Sequence, residues 1–403
     1  MTNDQITTPF CMAKYILDLI RNNSRSILKG LTGPQRKAVM EIIRGLYIAG
    51  RPILRHLAQR TDIGAKRQGD KYSYHLGRID LRKRVDEFST NRVRGEIKKN
   101  TIIAYDLTDI NKEYAEKMEK RGWAWDGSRG ESAKGYELHG VGVNGVLLKF
   151  EIHEGGKYTL NQIRKKHVEE LSESFSRKGI WVFDRGNDDK AFFKFLRHEA
   201  KVQFIARLKD NRMLVVKETG ALEKVKNLRN GKYKVYLMNT YNTDVDMGAT
   251  YTLVISSHLD GKEPIRLLCH LEGEYSGDEI VNMYLERWGI ENIFKRAKTK
   301  FELEKIRVYS FVKLQNLVAL IQFVTNLSTL IFQQVQRLTE PLITGVLMAY
   351  RKFLLHRALY LNVDSFISFL RFSLKPVTFR PSNSPPKQLS LLKSYSLAKL
   401  VPF

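Results

Sequence analysis

Residues Tyr284 to Lys298 read YLERWGIENIFKRAK, and the fold of the chain turns on this stretch. It holds one glycine, Gly289, and no proline. It follows Ser276-Gly277-Asp278-Glu279, and Ser, Asp and Glu ahead of an apolar-periodic run are helix-opening signals. The spacing predicts one helix on which Tyr284, Arg287, Glu291 and Lys298 fall at i, i+3, i+7 and i+14. At about 100° per residue these four share a narrow sector. One face then carries a hydroxyl, a guanidinium, a carboxylate and an ammonium, while Val281, Leu285, Trp288, Ile290 and Phe294 are left for packing. Such a face suits a phosphodiester held with a metal ion. It equally suits a solvated surface with Arg287–Glu291 and Glu291–Lys295 pairs at i, i+4. The rest of the chain decides between the two.

A metal site for phosphoryl transfer needs several carboxylates from separate elements. Two upstream segments supply them. Thr101 to Asp106 (TIIAYD) is a short apolar run of β type closed by an acid, and Ile180 to Asp184 (IWVFD) has the same design. Each is expected to place an aspartate at the end of a buried strand, facing a cleft. Asp109, Asp126, Asp188 and Asp189 rank below Asp106 and Asp184, because acids in loops and at helix starts are usually solvated or caps. His139 lies on a strand and reads as a packed or surface histidine rather than a ligand.

On these residues the chain resembles DDE transposases of insertion sequences of the IS-four type. The resemblance is carried by Asp106-Leu107-Thr108, by Asp184-Arg185-Gly186 and by Tyr-x2-Arg-x3-Glu-x6-Lys at Tyr284, Arg287, Glu291 and Lys298, and it runs over roughly residues 30 to 310. It implies an α/β fold: a ribonuclease-H-like mixed-sheet catalytic core with a β-rich insertion, flanked by helical N- and C-terminal regions. It implies that Asp106, Asp184 and Glu291 hold two Mg²⁺ or Mn²⁺ ions, and that Tyr284, Arg287 and Lys298 position DNA phosphates, with Arg185 a further candidate. The implied activity is metal-dependent cleavage at transposon ends followed by strand transfer. The implied partners are double-stranded DNA, as terminal inverted repeats and as target, and a second copy of the chain in a homodimer. Some relatives carry a tryptophan in the insertion that stacks on an unpaired base. Here the tryptophans are Trp123, Trp125, Trp181 and Trp288, all outside it, so Tyr241 or Tyr251 would have to stack instead. A nuclease of the same fold, or a non-catalytic DNA-binding protein derived from a transposase, would share much of this pattern. Pure binding gains nothing from a repulsive acidic cluster in a basic protein.

Composition agrees with a polyanion binder. The 403 residues hold 68 Lys+Arg against 43 Asp+Glu, a formal charge of +25. The most apolar run, Leu314 to Phe332, is interrupted by Gln315, Asn316, Gln322, Asn326 and Ser328, so a buried helix is expected there and no membrane partner. Cys11 and Cys269 are too few and too far apart for a disulfide framework. With no secretory layout at the N-terminus, a cytoplasmic, nucleoid-associated prokaryotic protein is the expectation.

Five regions follow in order. Residues 1–95 are helical and basic, with 19 Lys/Arg and 8 Asp/Glu. Short helices with Gly-containing turns there suit helix-turn-helix docking on DNA. Residues 96–208 form the first part of the core, with a Gly/Ser-rich loop expected at 122–134 and a hairpin at Asn144-Gly145. Residues 209–274 are the β-rich insertion, with turns at Asn230-Gly231 and Asp260-Gly261. Residues 275–310 carry the Glu-bearing helix. Residues 311–403 are helical and end in a Ser/Pro-rich stretch and a basic tail.

Overall fold

The computed structural model describes residues 9–58, 63–127, 129–238, 245, 247–257, 263–338 and 362–374. The turn at Asp260-Gly261, Tyr241, and the Ser/Pro-rich stretch with its basic tail lie outside them. The chain divides into a sheet unit, Ser89–Glu113 with Lys120–Phe294, and a helical unit, Met1–Phe88 with Tyr114–Glu119 and Lys295–Phe403.

The two apolar runs that end in aspartates become neighbouring central strands. β1 (Ile102–Asn111) has its outer partners in β2 (Gly122–Asp126), β3 (Glu131–Val143) and β4 (Val146–Ile152). β5 (Ile180–Phe183) and β6 (Gln203–Arg207) continue on its other side. β1 and β5 are parallel with Tyr105 opposite Phe183, and β5 and β6 are parallel as well. β3 is antiparallel to β1, and β4 returns antiparallel along β3. The β3–β4 turn is Asn144-Gly145, both residues with positive φ, as a tight type I′ hairpin requires. The spatial order β4-β3-β1-β5-β6, antiparallel on one flank and parallel on the other, is the ribonuclease-H-like arrangement.

Residues 209–274 extend this sheet. They form β7 (Met213–Val216), β8 (Leu222–Lys224), β9 (Gly231–Leu237), β10 (Tyr251–Ser256) and β11 (Ile265–His270). β11 pairs antiparallel with β6, giving one eleven-stranded sheet. The loop expected at 122–134 is corrected: Gly122–Asp126 is β2, paired with Glu131–Gly135 of β3. The period-two pattern Trp123 out, Ala124 in, Trp125 out, Asp126 in outweighs the flanking glycines.

Each face of the sheet has its own layer. Ile102, Ile180, Val182 and Ile205 pack with Ile280, Val281 and Tyr284 of α8 (Gly277–Leu285). On the opposite face Tyr105 and Phe183 meet at 5.8 Å, and Phe183 meets Phe192 edge-on at 5.0 Å. That side is covered by α6 (Leu160–Ser174), opened by a Thr159–Gln162 capping box, and by the short α7 (Lys190–Lys194).

The helical unit contains α1 (Pro9–Leu28), α2 (Gly33–Ala49), α3 (Leu54–Leu57) and α4 (Ala65–Leu76). Next come α5 (Arg82–Val93), α9 (Trp288–Lys300), α10 (Phe311–Leu338) and α11 (Val363–Leu374), with α5 and α9 shared with the sheet unit. Gly33-Pro34 opens α2 and Gly50, in the left-handed conformation, closes it, as the sequence suggests. The basic residues Lys66, Arg67, Lys71, Arg82, Lys83 and Arg84 are divided between two helices, α4 and α5. α10 is long and apolar enough by composition to cross a membrane over Phe311–Gln334, yet 94% of that window is buried inside the protein. Its polar interruptions have a use. Asn316 donates to the carbonyls of Leu76 and Ile79 and accepts from the Leu81 N–H, each at 2.8–2.9 Å, which satisfies the backbone between α4 and α5.

Candidate active site

The strand register brings two aspartates side by side. The last parallel pair of β1 and β5 is Tyr105 with Phe183, so Asp106 and Asp184 are the next residues on each strand. Neighbouring strands run about 4.8 Å apart. By pleat alternation Asp106 continues the face of Ile102 and Ala104, and Asp184 that of Ile180 and Val182. That is the face covered by α8. Asp184 directly follows β5, whereas Asp106 lies in mid-strand, because β1 runs on to Asn111 along β3. The expectation that Asp106 ends its strand is corrected accordingly.

The third acid arrives on α9. Its approach depends on two glycines of β3. A Cβ on Gly140 would stand 2.3 Å from the Phe294 ring, and one on Gly142 3.2 Å from Ile290. Side chains there would lift α9 off the sheet. Phe294 also stacks on Phe150 at 5.7 Å.

The single helix expected over Tyr284 to Lys298 is two helices. α8 ends at Leu285 and α9 begins at Trp288, with Arg287 N–H bonding back to the Tyr284 carbonyl and Ile290 N–H to the Arg287 carbonyl. This i to i−3 tightening swings Arg287 inward, to 8% exposure. The four motif residues therefore do not share one helix face. The only sequence cue to the break was Gly289.

Arg287 joins two of the acids. Its Nη1 donates to Asp106 Oδ2 at 2.6 Å and its Nη2 to Glu291 Oε1 at 2.7 Å, while its buried Nε has no partner. Burial works against the guanidinium's charge, but Asp106, Tyr284 and Glu291 outweigh it and hold Arg287 more firmly protonated than usual. Asp106 is pushed up to about 7, first by burial and then by the charge of Asp184; Arg287 and the Leu107 N–H pull the other way. Burial wins there despite the short salt bridge.

The remaining predicted residues are placed as follows. Tyr284 is buried in the apolar cluster with the Arg287 guanidinium 5.8 Å from its ring centre. Arg185 is exposed, directly after Asp184. Lys298 belongs to the helical unit, where its Nζ pairs with Glu304 at 3.2 Å. Tyr251 is buried against Phe204, so base stacking by its ring is excluded, and that expectation is corrected. Three of the four lower-ranked acids have structural work. Asp188 holds Arg212 at 2.6 Å and the Lys209 N–H, Asp189 caps α7, and Asp126 accepts from Asn111. His139 is a packed residue hydrogen-bonded to Tyr105 at 2.6 Å.

Sequence reasoning missed Asn187 and Arg164. Asn187 Nδ2 donates to Asp184 Oδ1, and Arg164 Nη1, from α6, donates to Asn187 Oδ1 at 2.5 Å. Asn187 was visible as the third residue after Asp184. Nothing local marked Arg164, which lies 23 residues away.

The donor set of Asp106, Asp184 and Glu291 is all carboxylate oxygen, which suits a hard divalent cation. Among the described residues, no group of three or more His, Cys, Asp or Glu side chains is placed to hold a metal ion. Here the Arg287 guanidinium bridges Asp106 and Glu291, so it is the cation that meets both acids. The acids fit a divalent ion by chemistry once that bridge is released.

The family model described as "Transposase DDE domain" matches residues 97–327, more than half of the chain. No curated protein matches the sequence. Among solved structures, the chain is similar to a piggyBac transposase synaptic complex with hairpin DNA, with a TM-score of 0.45 at 12% identity over 99% of this chain and 86% of that one. It is also similar to Marinitoga piezophila Argonaute in complex with guide RNA and target DNA, with a TM-score of 0.21 at 12% identity over 63% of this chain and 36% of that one. Both likenesses are remote.

Proposed function

Since the chain belongs to the transposase DDE domain family and is a DDE-type DNA transposase, we propose that it is of the IS-four insertion-sequence type and that Asp106, Asp184 and Glu291 are its catalytic acids. The observation that carries this reading is the register of β1 and β5, which sets two aspartates abreast, one of them joined to Glu291 through the Arg287 guanidinium. The family acts with divalent metal ions; we assign two, Mg²⁺ or Mn²⁺, to these three carboxylates. The bound ions supply Lewis acidity that activates the attacking oxygen and neutralises charge at the phosphate.

The chain's own residues do the rest. Asp106 is half-buried, its carboxyl raised by desolvation, and Arg287 is its cationic partner until it is exchanged. Once free of Asp106 and Glu291, the Arg287 fork is suited to bidentate contact with phosphate oxygens. Exposed Arg185 supplies a further cationic contact, half-buried Lys298 is a second candidate in exchange for its pairing with Glu304, and Tyr284 supports Arg287 from beneath. The reaction is hydrolytic cleavage at the transposon ends, then attack of the freed 3′-hydroxyl on target DNA, in a homodimer that holds two ends. The basic region of residues 1–95 is assigned to end recognition, within a cytoplasmic, nucleoid-associated protein.

The test uses labelled DNA carrying the element's ends with Mg²⁺ or Mn²⁺, comparing the wild type with Glu291→Gln. Metal-dependent nicking and joining, both lost in the variant while DNA binding survives, supports the assignment. Nicking without joining would favour a nuclease, and cleavage unaffected by the substitution would remove Glu291 from the site.

A further inference from the structure

Arg164 is a buried cation that the reaction does not consume. It is 4% exposed, its guanidinium lies 3.6 Å from the Phe192 ring centre, and its Nε has no hydrogen-bond partner. Burying an arginine costs several kcal/mol unless its charge is compensated. Yet its nearest carboxylate contact is Asp189, at 3.9 Å. Its close contacts are amides: Nη1 donates to Asn187 Oδ1 at 2.5 Å and Nη2 to Asn161 Oδ1. Asn161 is itself held by Asp189, which caps α7. The guanidinium is thus fixed on two sides and by the ring below it.

Arginine is donor-only, whereas an asparagine side chain has a donor end and an acceptor end. The contact with Arg164 therefore fixes which way Asn187 points. Its oxygen must face Arg164, and its NH₂ must face Asp184 Oδ1, where it donates. We infer that Arg164 is a positioning residue: by orienting Asn187 it ties down one oxygen of Asp184, so that the other would be the one to hold a metal ion. This rests on the reading of Asp184 as a metal-holding acid. Without Arg164 the Asn187 amide can rotate and present its oxygen to the carboxylate, and two acceptors facing one another repel.

The test is Mn²⁺ titrated into the full-length protein, followed by loss of the free-ion paramagnetic resonance signal. Disturbing a group that orients a metal ligand typically costs about 10–100-fold in affinity, and Arg164→Met is expected to weaken Mn²⁺ binding by that amount. Arg164→Lys, which still donates to Asn187, is expected to restore most of it. Asn187→Ala should reproduce the loss, and the double variant Arg164→Met/Asn187→Ala should be no worse than Asn187→Ala, since one residue acts through the other. Unchanged affinity in Arg164→Met, or an equal loss in the Lys and Met variants, would overturn the inference. If Arg164→Met fails to fold, unchanged affinity in Asn187→Ala overturns it alone. Asp184→Asn separates the two levels. If it leaves Mn²⁺ affinity unchanged, the metal-site reading fails and the inference with it. If it abolishes binding while Arg164→Met does nothing, only the inference fails.

Discussion

His139 shows how far a single side chain's chemistry can be read from its surroundings. It is fully buried between Tyr105 and His153, and burial, with the neighbouring histidines, pushes its pKa down to about 3. The unfolded chain takes up that proton near pH 6.5, so the unfolded state binds more protons than the folded state between those values. Stability is therefore lost as pH falls below about 6.5. Urea unfolding at pH 7 and pH 5 should differ by roughly 2 kcal/mol from this residue, and His139→Gln should flatten the dependence. An equally steep curve in the variant would contradict the assignment. Glu151 acts lower on the scale. Burial opposes its ionisation, but the hydrogen bond and charge of His167, with Lys166, hold it down at about 2. Its contribution persists until the pH falls below the usual carboxylate range. From the sequence His139 was legible as a packed strand histidine. Its partners were not, because Tyr105 and His153 reach it only through strand register.

At the level of elements, the sheet depends on its glycines where α9 crosses it. Gly140→Ala places a methyl group within the Phe294 ring, and overpacking of this kind costs about 1–3 kcal/mol. It should also lift Glu291 away from Asp106 and slow metal-dependent nicking. Shortening the ring in Gly140→Ala/Phe294→Leu should recover part of both. No recovery in the double variant would mean that the close approach is not what Gly140 provides. The strands β1 and β5 were legible because their apolar runs are short and closed by an acid, and β3 and β4 through the Asn144-Gly145 turn between them. β2 was not, since only five residues alternate between glycines. The break between α8 and α9 was hidden for another reason. Nothing local forces it, and what stabilises it is a tertiary contact, the reach of Arg287 to Asp106 across 181 residues of sequence.

For the whole molecule, the excess of positive charge sets how it meets DNA. With +25 on 403 residues, binding should be driven largely by release of counterions from the phosphates. Affinity for end-containing DNA is expected to fall about a thousand-fold or more between roughly 50 and 200 mM salt, as read by fluorescence anisotropy. A shallow dependence would mean that few phosphates are neutralised. Composition alone carried this much, and the acid-ended strands with the Tyr-Arg-Glu-Lys spacing carried the family. What sequence spacing could not convey is that a guanidinium already bridges Asp106 and Glu291, so on the proposed assignment Arg287 has to move before cations bind. Anomalous scattering from crystals of the protein with end DNA and Mn²⁺ tests this most directly. Mn²⁺ peaks are expected in contact with Asp106, Asp184 and Glu291, with the Arg287 guanidinium displaced from Asp106 onto a DNA phosphate. Peaks elsewhere, or none at saturating Mn²⁺ with Arg287 still bridging the two acids, would contradict it.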